Sequence, residues 1–486
     1  MDPAHEMKSD MKRNIWISTG VLLLTIAAWP QTPSTTLVAP PPVPRELVEQ
    51  LQTIRDSALT SDYPWQQLAY LTENIGPRPA GSLQAQAAAE YVADQMRKLG
   101  LDVHLEPARV SHWVRGEERA ELVEFPGQVS QIKQRIVLTT LSGSAATPAD
   151  GITADVLVVH SFDELTAMGR SKVAGKIVLF NVQYDRKKAA AGYAFDAYGE
   201  AVVYRGRGGR AVAELGGAAA LIRSVGSADY RLPHTGFSYP APVPAAALAS
   251  EDADLVEHLV AQGHVRMHLT LTPQNLPETT GYNVVADLKG SEHPEQIVVV
   301  SGHLDSWDLG RGAIDDGAGV AISMSAAELL VRLHLRPRRT LRVIAWMDEE
   351  NGGGGHDAYA AAHASELANH VAAIESDAGA GHPLGFSVKM SPAASATLRP
   401  IIDALRPVGA TVLRPTSVSP GSDIEPLVDA GVPGIGIIQD ARKYFDYHHT
   451  AADTLDKVDP QQLRENAAAM AVMGYALAAI PDPLPR

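Results

Sequence analysis

From Asn283 onwards, short apolar runs alternate regularly with amphipathic helical patterns, and few folds accommodate this order. The strand candidates are QIVVVSG (296–302), TLRVIAWM (340–347), HVAAIES (370–376) and PGIGIIQ (433–439). The helical stretches are GVAISMSAAELLVRL, YAAAHASEL, TLRPIIDALRPV and, at the end, PQQLRENAAAMAVMGYALAAI. Such alternation predicts an α/β fold with a doubly wound sheet.

The chain before this part has two different textures. Residues 46–100 are helical in pattern, with LVEQLQTIRDSAL and SLQAQAAAEYVADQMRKLG separated by IGPRPAGS. Between about 108 and 272, short β-like runs alternate with Gly/Ala-rich turns and one helical stretch, AVAELGGAAALIRS. This middle region is predicted to be a separate mixed α/β unit. The basic RGRGG string at 205–209 favours a flexible loop over a nucleic-acid patch.

The amino terminus has the order of an export signal. Lys8, Lys12 and Arg13 precede an apolar run at 15–29, which is short of the roughly 20 residues that span a bilayer. Residues 1–30 are therefore predicted to be a signal segment and 31–45 a Pro-rich linker, with the protein exported to the periplasm or the extracellular space. No stable membrane insertion is expected after signal removal. The alternative is an uncleaved anchor formed by the same apolar segment.

Composition excludes several classes of function. The formal net charge of −15 argues against nucleic-acid binding, which depends on Lys and Arg at phosphates. The chain has no cysteine, so disulfides, thiolate ligands and a cysteine nucleophile are excluded. Catalysis must therefore use oxygen and nitrogen groups.

Ionisable residues follow the strand candidates at their carboxyl ends, where open α/β sheets bind ligands. These residues are His303 and Asp305, then Asp348, Glu349 and Glu350, then Glu375 and Asp377, and finally His448 and His449. Each alone is compatible with a surface pair, a helix terminus or a loop, and Asp315-Asp316-Gly317 is compatible with a turn. The coincidence of carboxylates after three consecutive strands favours one shared site.

Several carboxylates cannot converge in a cleft as anions unless cations compensate them. Mixed imidazole and carboxylate ligands suit zinc better than magnesium or calcium. There are enough candidate ligands for two metals that share one carboxylate, a recurring hydrolytic arrangement. The sequence lacks a His-Glu-x-x-His helix, a Gly-x-Ser-x-Gly elbow and a Walker-type loop, so metal-assisted hydrolysis is the chemistry that remains.

The residues also resemble a known family. The strings SGHLDSWDLGRGAIDDGAGVA, WMDEENGG, ESDAG, PGSDIEPLVDAGVPG and KYFDYHHTAADT closely resemble the dizinc exopeptidases of the aminopeptidase and carboxypeptidase Q type, in particular the carboxypeptidase Q branch. The resemblance implies a three-layer, doubly wound and mostly parallel sheet, two Zn²⁺ ions, and a secreted enzyme that acts on small peptides.

The resemblance also implies a role for each site residue. His303 and Asp377 would bind one zinc, Glu350 and His449 the other, and Asp315 would bridge them. Asp305 would orient the His303 ring from outside the ligand set. Glu349 would be the general base that activates a water between the metals and later protonates the leaving amine. His448 would donate to the oxyanion, where some relatives carry tyrosine.

Domain organisation follows from the same resemblance. Residues 46–110 and 277–486 would form a discontinuous metallopeptidase domain, and 111–276 an inserted protease-associated-like α/β domain. The inserted domain would roof the cleft or pair subunits in a homodimer. The Asp315–Asp316 peptide would be cis. Asp423-Ile424 departs from the Asp-His of many relatives, and Asp308 has no implied role.

The sequence thus predicts a secreted zinc-dependent exopeptidase that hydrolyses dipeptides or short peptides. One alternative is a glutaminyl cyclase-like acyltransferase on the same fold, which would use one zinc. Another is a catalytically inactive, receptor-like binding protein.

Overall fold

Two eight-stranded sheets form the framework of the described chain. The computed structural model describes residues 43–228 and 230–486, and sixteen strands lie within them. The strands are β1 (Asp102–Val114), β2 (Glu118–Glu124), β3 (Gln134–Ile136), β4 (Leu138–Thr140), β5 (Ile152–Val159), β6 (Ile177–Phe180), β7 (Ala219–Arg223), β8 (Ala245–Leu248), β9 (Arg266–Leu271), β10 (Gln274–Leu288), β11 (His293–His303), β12 (Arg339–Trp346), β13 (His370–Glu375), β14 (Pro383–Lys389), β15 (Val412–Pro415) and β16 (Gly434–Gln439).

The first sheet has the strand order β1-β10-β12-β11-β13-β16-β14-β15. Its four central strands, β12, β11, β13 and β16, are parallel to one another, whereas β1, β10 and β14 pair antiparallel with their inner neighbours. The second sheet has the order β3-β2-β9-β5-β6-β7-β8-β4 and is built from residues 118–271. The segment between β1 and β10 therefore forms a sheet of its own, while β1 and β10 pair with each other in the first sheet.

Helices cover the first sheet on both faces. The helices of the described chain are α1 (Arg45–Ala58), α2 (Tyr63–Ala69), α3 (Leu83–Lys98), α4 (Phe162–Met168), α5 (Arg170–Val173), α6 (Arg186–Ala190), α7 (Ala194–Glu214), α8 (Ser250–Gln262), α9 (Ala318–Arg332), α10 (Gly354–Ala362), α11 (Pro392–Asp403), α12 (Glu425–Asp429), α13 (Tyr444–Tyr447) and α14 (Pro460–Ala479). In β11, Val298 and Val300 pack in the core that holds α9 and α14, and Ile297 and Val299 pack in the core that holds α12. Successive side chains of a strand point to opposite faces, so this apolar run is buried on both sides, as in a three-layer fold.

The sequence predictions for this sheet are largely confirmed. The four predicted strands coincide with β11, β12, β13 and β16 to within three residues at each end, and the closing helix coincides with α14. The strands β14 and β15 were not predicted. Their burial is interrupted by exposed residues such as Leu384 and Val412, so neither forms a continuous apolar run.

Two predictions for the middle region are wrong. The stretch AVAELGGAAALIRS is not one helix, because α7 ends at Glu214 and 219–223 is strand β7. The RGRGG string is not a flexible loop, because residues 205–209 lie inside α7. Its glycines serve close packing: a Cβ on Gly208 would lie 2.8 Å from Cδ1 of Ile222 in β7. Small residues here let the helix approach the sheet.

The signal segment (1–30) and residues 31–42 of the predicted linker lie outside the described residues. Within 43–228 and 230–486, no helix combines the length and apolar character that a bilayer crossing requires. The described residues cluster as one compact unit. The boundaries predicted for the inserted domain fall inside β1 and β10, and the division into domains stays a prediction.

Candidate metal centre and active site

The parallel strands bring the ionisable residues to one edge of the first sheet. β11 ends at His303, β12 is followed by 348–350, and β13 is followed by Asp377. The pairing of His303 with Trp346 in β12 and of Ser301 with Glu375 in β13 places these strand ends side by side. The segment after β16 adds His448 and His449. The convergence expected from the sequence is therefore present.

Asp315 lies at the centre of this group. Its Oδ1 is 3.3 Å from Nε2 of His303, and its Oδ2 is 3.2 Å from Nε2 of His449. On the first side, Oδ1 of Asp377 lies 3.5 Å from the same nitrogen of His303. On the second side, Oε2 of Glu350 lies 3.0 Å from Nε2 of His449. One carboxylate thus joins two clusters of candidate ligands.

His303 is oriented by the main chain of Asp305. Its Nδ1 donates to the backbone carbonyl of Asp305 at 3.0 Å, whereas the nearer carboxylate oxygen of Asp305 lies 3.9 Å away. This contact places a proton on Nδ1 and directs Nε2 at Asp315 and Asp377, where it would be free to bind a cation. Asp305 therefore orients the ring through its main chain, because the Asp305 side chain turns towards the next strand end.

The buried carboxylate of Asp305 instead holds the turn after β12. It accepts the backbone N–H groups of Asp348 at 2.8 Å, Glu349 at 3.2 Å and Glu350 at 3.4 Å. Asp348 has a φ of +75°, a strained conformation for a side chain other than glycine. An acceptor on this turn offsets that strain and fixes the backbone from which Glu349 and Glu350 extend.

His449 is held by a loop of the middle region. Its Nδ1 lies 3.2 Å from the carbonyl oxygen of Thr235, and the N–H of Thr235 donates to the carbonyl of His449 at 2.9 Å. Trp307 Nε1 donates to Nε2 of His449 at 3.2 Å. With Nδ1 donating to Thr235, Nε2 carries the lone pair, and a cation would compete with Trp307 for it.

His448 stacks on His449 with ring centroids 3.6 Å apart. Its Nε2 lies 3.5 Å from Oδ2 of Asp315, and its buried Nδ1 has no hydrogen-bond partner. Burial and the neighbouring His449 hold the pKa of His448 well below its ordinary value, so the ring is neutral at pH 7. Asp315, His448 and His449 are close enough to share one ion, so His448 has the position of a ligand as well as that of a donor.

Two further aspartates fix the loop that carries Asp315. The Asp315–Asp316 peptide is cis, as the resemblance implied. Asp316 accepts the N–H of His303 at 3.0 Å and that of Gly319 at 2.9 Å. Asp453, in the HTAADT string, accepts the N–H groups of residues 313 and 314 at 2.9 and 2.7 Å. Asp453 thus links the segment of His449 to the segment of Asp315.

The electrostatics of the group favour a bound cation. Burial raises the pKa of Glu350 to about 8 and that of Asp377 to about 6. Burial also acts to raise the pKa of Asp315, but the neighbouring imidazoles hold it well below its usual range. Oδ2 of Asp315 and Oε1 of Glu350 are buried without a hydrogen-bond partner. Buried acceptors without donors, beside imidazole lone pairs, are the donor set that zinc takes.

Glu375, the last residue of β13, has a structural position. It accepts the N–H of Ile424 at 2.9 Å and that of Asp423 at 3.4 Å. Asp423 in turn lies 3.2 Å from Nδ1 of His356. Asp423 and Ile424 therefore contact Glu375 and His356, which lie outside the two ligand clusters.

Sequence reasoning missed two arginines that support the site. Arg78, fully buried, donates to the carbonyls of Leu304, Arg311 and Gly312 at 2.8–2.9 Å. Arg115 binds both carboxylate oxygens of Asp308, at 2.7 and 2.5 Å, which gives Asp308 a role. The Pro-Arg-Pro sequence around Arg78 indicates only an interruption between two helices. No residue near Arg115 in the sequence indicates a role in the site.

A cavity of about 340 Å³ opens over the two ligand clusters. Its floor contains the predicted ligands Asp315, Glu350, Asp377 and His449, together with Glu349 and His448. Its roof contains Phe195, Tyr198, Arg205 and Phe237, all from the middle region of the chain. The cavity has the size of a small-molecule site.

Comparisons with known proteins indicate the family of this chain. The model of peptidase family M28 matches residues 283–473. Carboxypeptidase Q from Homo sapiens is 39% identical over 428 residues, which cover 87% of this chain and 86% of that protein. A crystal structure of a peptidase M28 precursor from Shewanella amazonensis has a TM-score of 0.85 and 34% identity, over 91% of this chain and 98% of that one. A zinc aminopeptidase from Bacillus subtilis shares the fold, with a TM-score of 0.62 and 20% identity over 87% of this chain and 98% of the other.

Proposed function

Because the chain belongs to peptidase family M28, we propose that this metallopeptidase is a dizinc exopeptidase that hydrolyses dipeptides or short peptides. The name of the human relative, carboxypeptidase Q, supports an exopeptidase. The small roofed cavity over the ligand clusters supports short substrates.

The position of Asp315 carries the proposal. Its two oxygens face two different imidazole nitrogens at 3.3 and 3.2 Å, and each of those nitrogens faces a further carboxylate. A single ion would need only one of these clusters. His303, Asp377 and Asp315 would hold one zinc, and Glu350, His449 and Asp315 the other. When bound, the two ions would supply an activated water and polarise the scissile carbonyl.

Glu349 is the proposed general base. It lies in the floor of the cavity beside the ligands, and its backbone N–H is held by the Asp305 carboxylate at 3.2 Å. From this fixed backbone, the Glu349 carboxylate would take a proton from the attacking water and deliver it to the leaving amine. Neutral His448 would donate a hydrogen bond from its ring N–H to the developing oxyanion.

The inserted region would restrict the site to small substrates. Thr235 holds the proposed ligand His449 and Phe237 lines the cavity, so this region both orients a ligand and contributes to the roof. Export of the enzyme and a homodimer are further parts of the proposal.

The test combines metal analysis with one substitution. Purified protein should contain close to two zinc ions per chain, and a reproducible value near one would favour the acyltransferase alternative. Glu349→Gln should retain both ions and lose hydrolysis of free dipeptides. Activity that survives this substitution would remove Glu349 as the base, and absence of hydrolysis in the zinc-loaded wild type would favour a binding protein.

A further inference from the structure

We propose that Arg205 binds the free α-carboxylate of the substrate, so that the scissile bond is the last peptide bond of the chain. This inference rests on the proposed peptidase activity. It defines the substrate class as dipeptides and other short peptides with a free carboxyl terminus one residue beyond the cleavage point.

Arg205 lies on the inward face of α7. The buried residues of this helix recur at helical spacing, and Arg205 is one of them, with 8% of its surface exposed. Its guanidinium lies 5.6 Å from the ring centroid of Tyr198, which packs against His448 at 5.2 Å. The side chain is therefore directed towards the segment that carries the paired histidines.

The guanidinium has no anionic partner among the described residues. Nη1 reaches the carbonyl oxygen of Thr235 only at 3.4 Å, and Nε is buried without a hydrogen-bond partner. Nη1 also lies 3.3 Å from Nδ1 of His449, which itself donates to Thr235. An arginine is charged at any physiological pH, and a buried charge without a counter-ion is costly. An anion that enters the cavity would supply the missing partner in a bidentate contact.

The short distance between Arg205 and the ligand clusters indicates which carboxylate of a peptide substrate Arg205 can bind. One imidazole ring separates Arg205 from the floor: Nδ1 of His449 faces Arg205, and Nε2 of the same ring faces Glu350 at 3.0 Å. One residue of extended chain spans about 3.3–3.6 Å. A carboxylate held by Arg205 therefore lies about one residue from a carbonyl placed over the clusters.

The remaining walls favour the same orientation. Arg205 is the single Lys or Arg among the described residues that line the cavity, whereas Asp315, Glu349, Glu350 and Asp377 line its floor. In the zinc-loaded enzyme the two ions would compensate the floor carboxylates, so the cationic side chain left to pair with an anionic end of the substrate is Arg205 in the roof. The volume of about 340 Å³ is at the lower limit of small-molecule sites, which suits a dipeptide.

The experiment compares three substrates in the zinc-loaded enzyme: Ala-Ala, its carboxyl-terminal amide, and Ala-Asp-amide. Wild type should hydrolyse Ala-Ala with a kcat/KM roughly 100-fold above that of the Ala-Ala amide, the ratio expected when a buried charge loses its partner. Equal values for the two would overturn the inference while leaving the peptidase activity intact. Hydrolysis of none of the three would instead count against the proposed function.

Variants then locate the effect. Arg205→Met should lose roughly 100-fold in kcat/KM on Ala-Ala and little on its amide. Arg207→Met, at an exposed position of the same helix, is the matched control and should change neither. Equal losses on both substrates would assign Arg205 a purely structural role. A loss confined to Ala-Asp-amide would assign it to an acidic side chain, and either result overturns the inference.

A binding measurement gives a readout without turnover. In the Glu349→Gln background, calorimetry should show that Arg205→Met raises the Kd of Ala-Ala roughly 100-fold with unchanged zinc content. Arg205→Lys, which keeps the charge but not the planar fork, should recover part of the affinity. Unchanged affinity in Arg205→Met would overturn the inference.

Discussion

Replacement of Asp305 by asparagine separates two roles of one residue. In the structure, the main-chain carbonyl of Asp305 orients His303, whereas its carboxylate accepts three backbone N–H groups from residues 348–350. Asparagine keeps the carbonyl and the side-chain shape but loses the charge and one of the two acceptor oxygens. The substitution should therefore disturb the position of Glu349 and Glu350 and leave the His303 ring in place.

The expected magnitude follows from these contacts. A hydrogen bond to a charged group contributes about 1.5–3 kcal/mol, and a buried N–H left without an acceptor costs about 1–3 kcal/mol. The loss of the charge and of the weakest contact, that to Glu350, amounts to about 2–3 kcal/mol. If this cost falls on the transition state, kcat decreases by roughly 30- to 150-fold. Part of it will instead lower the free energy of unfolding.

The assay measures kcat, KM and zinc content in Asp305→Asn and in the control Asp308→Asn. Asp308 belongs to the same segment but binds Arg115 at the edge of the roof. The Asp305 variant should lose kcat with little change in KM and retain the zinc bound beside His303. Loss of that zinc with an otherwise undisturbed turn at 348–350 would refute the reasoning, since it would mean that the carboxylate orients the ring.

Three other predictions concern stability and packing. Burial lowers the pKa of His370 to about 4. Between pH 6.5 and 4 the unfolded state therefore binds more protons than the folded state, and the free energy of unfolding falls as the pH decreases. In urea unfolding, His370→Gln should reduce the loss of unfolding free energy between pH 7.5 and 5 by about 2 kcal/mol. Arg78→Met removes a buried donor to the carbonyls of Leu304, Arg311 and Gly312. It should lower the free energy of unfolding by about 3–5 kcal/mol, while the exposed Arg97→Met should change it by under about 0.5 kcal/mol. Gly302→Ala places a Cβ 2.6 Å from Oδ2 of Asp316. It should lower the free energy of unfolding by about 1–3 kcal/mol and weaken zinc binding in a metal titration. Unchanged zinc affinity would contradict the close packing of Gly302 against Asp316.

The fold of the catalytic half is predictable because its pattern is local. The strands β12 and β13 and the second half of β11 are continuous buried runs that only a sheet covered on both faces can accommodate, and helices separate them. The site follows from the same rule, since parallel strands bring His303, Glu350 and Asp377 to one edge.

The roles of single groups were less predictable. The sequence does not indicate whether Asp305 acts through its carbonyl or its carboxylate, because that depends on the turn after β12, 43 residues later. The RGRGG string has the composition of a loop, and its helical state depends on packing against β7. In both cases the deciding contact is distant in sequence.

By itself, the sequence determined the order of the four central strands of the first sheet, the absence of thiol chemistry and the candidate ligand set, because residue type and local periodicity are sufficient for these. Tertiary structure alone decided that Asp315 faces two imidazoles, that Thr235 holds His449, and that Arg205 faces the cavity without a counter-ion. Those features join segments up to 244 residues apart. Burial and long-range contacts set their charge and geometry, and neither is encoded in local pattern.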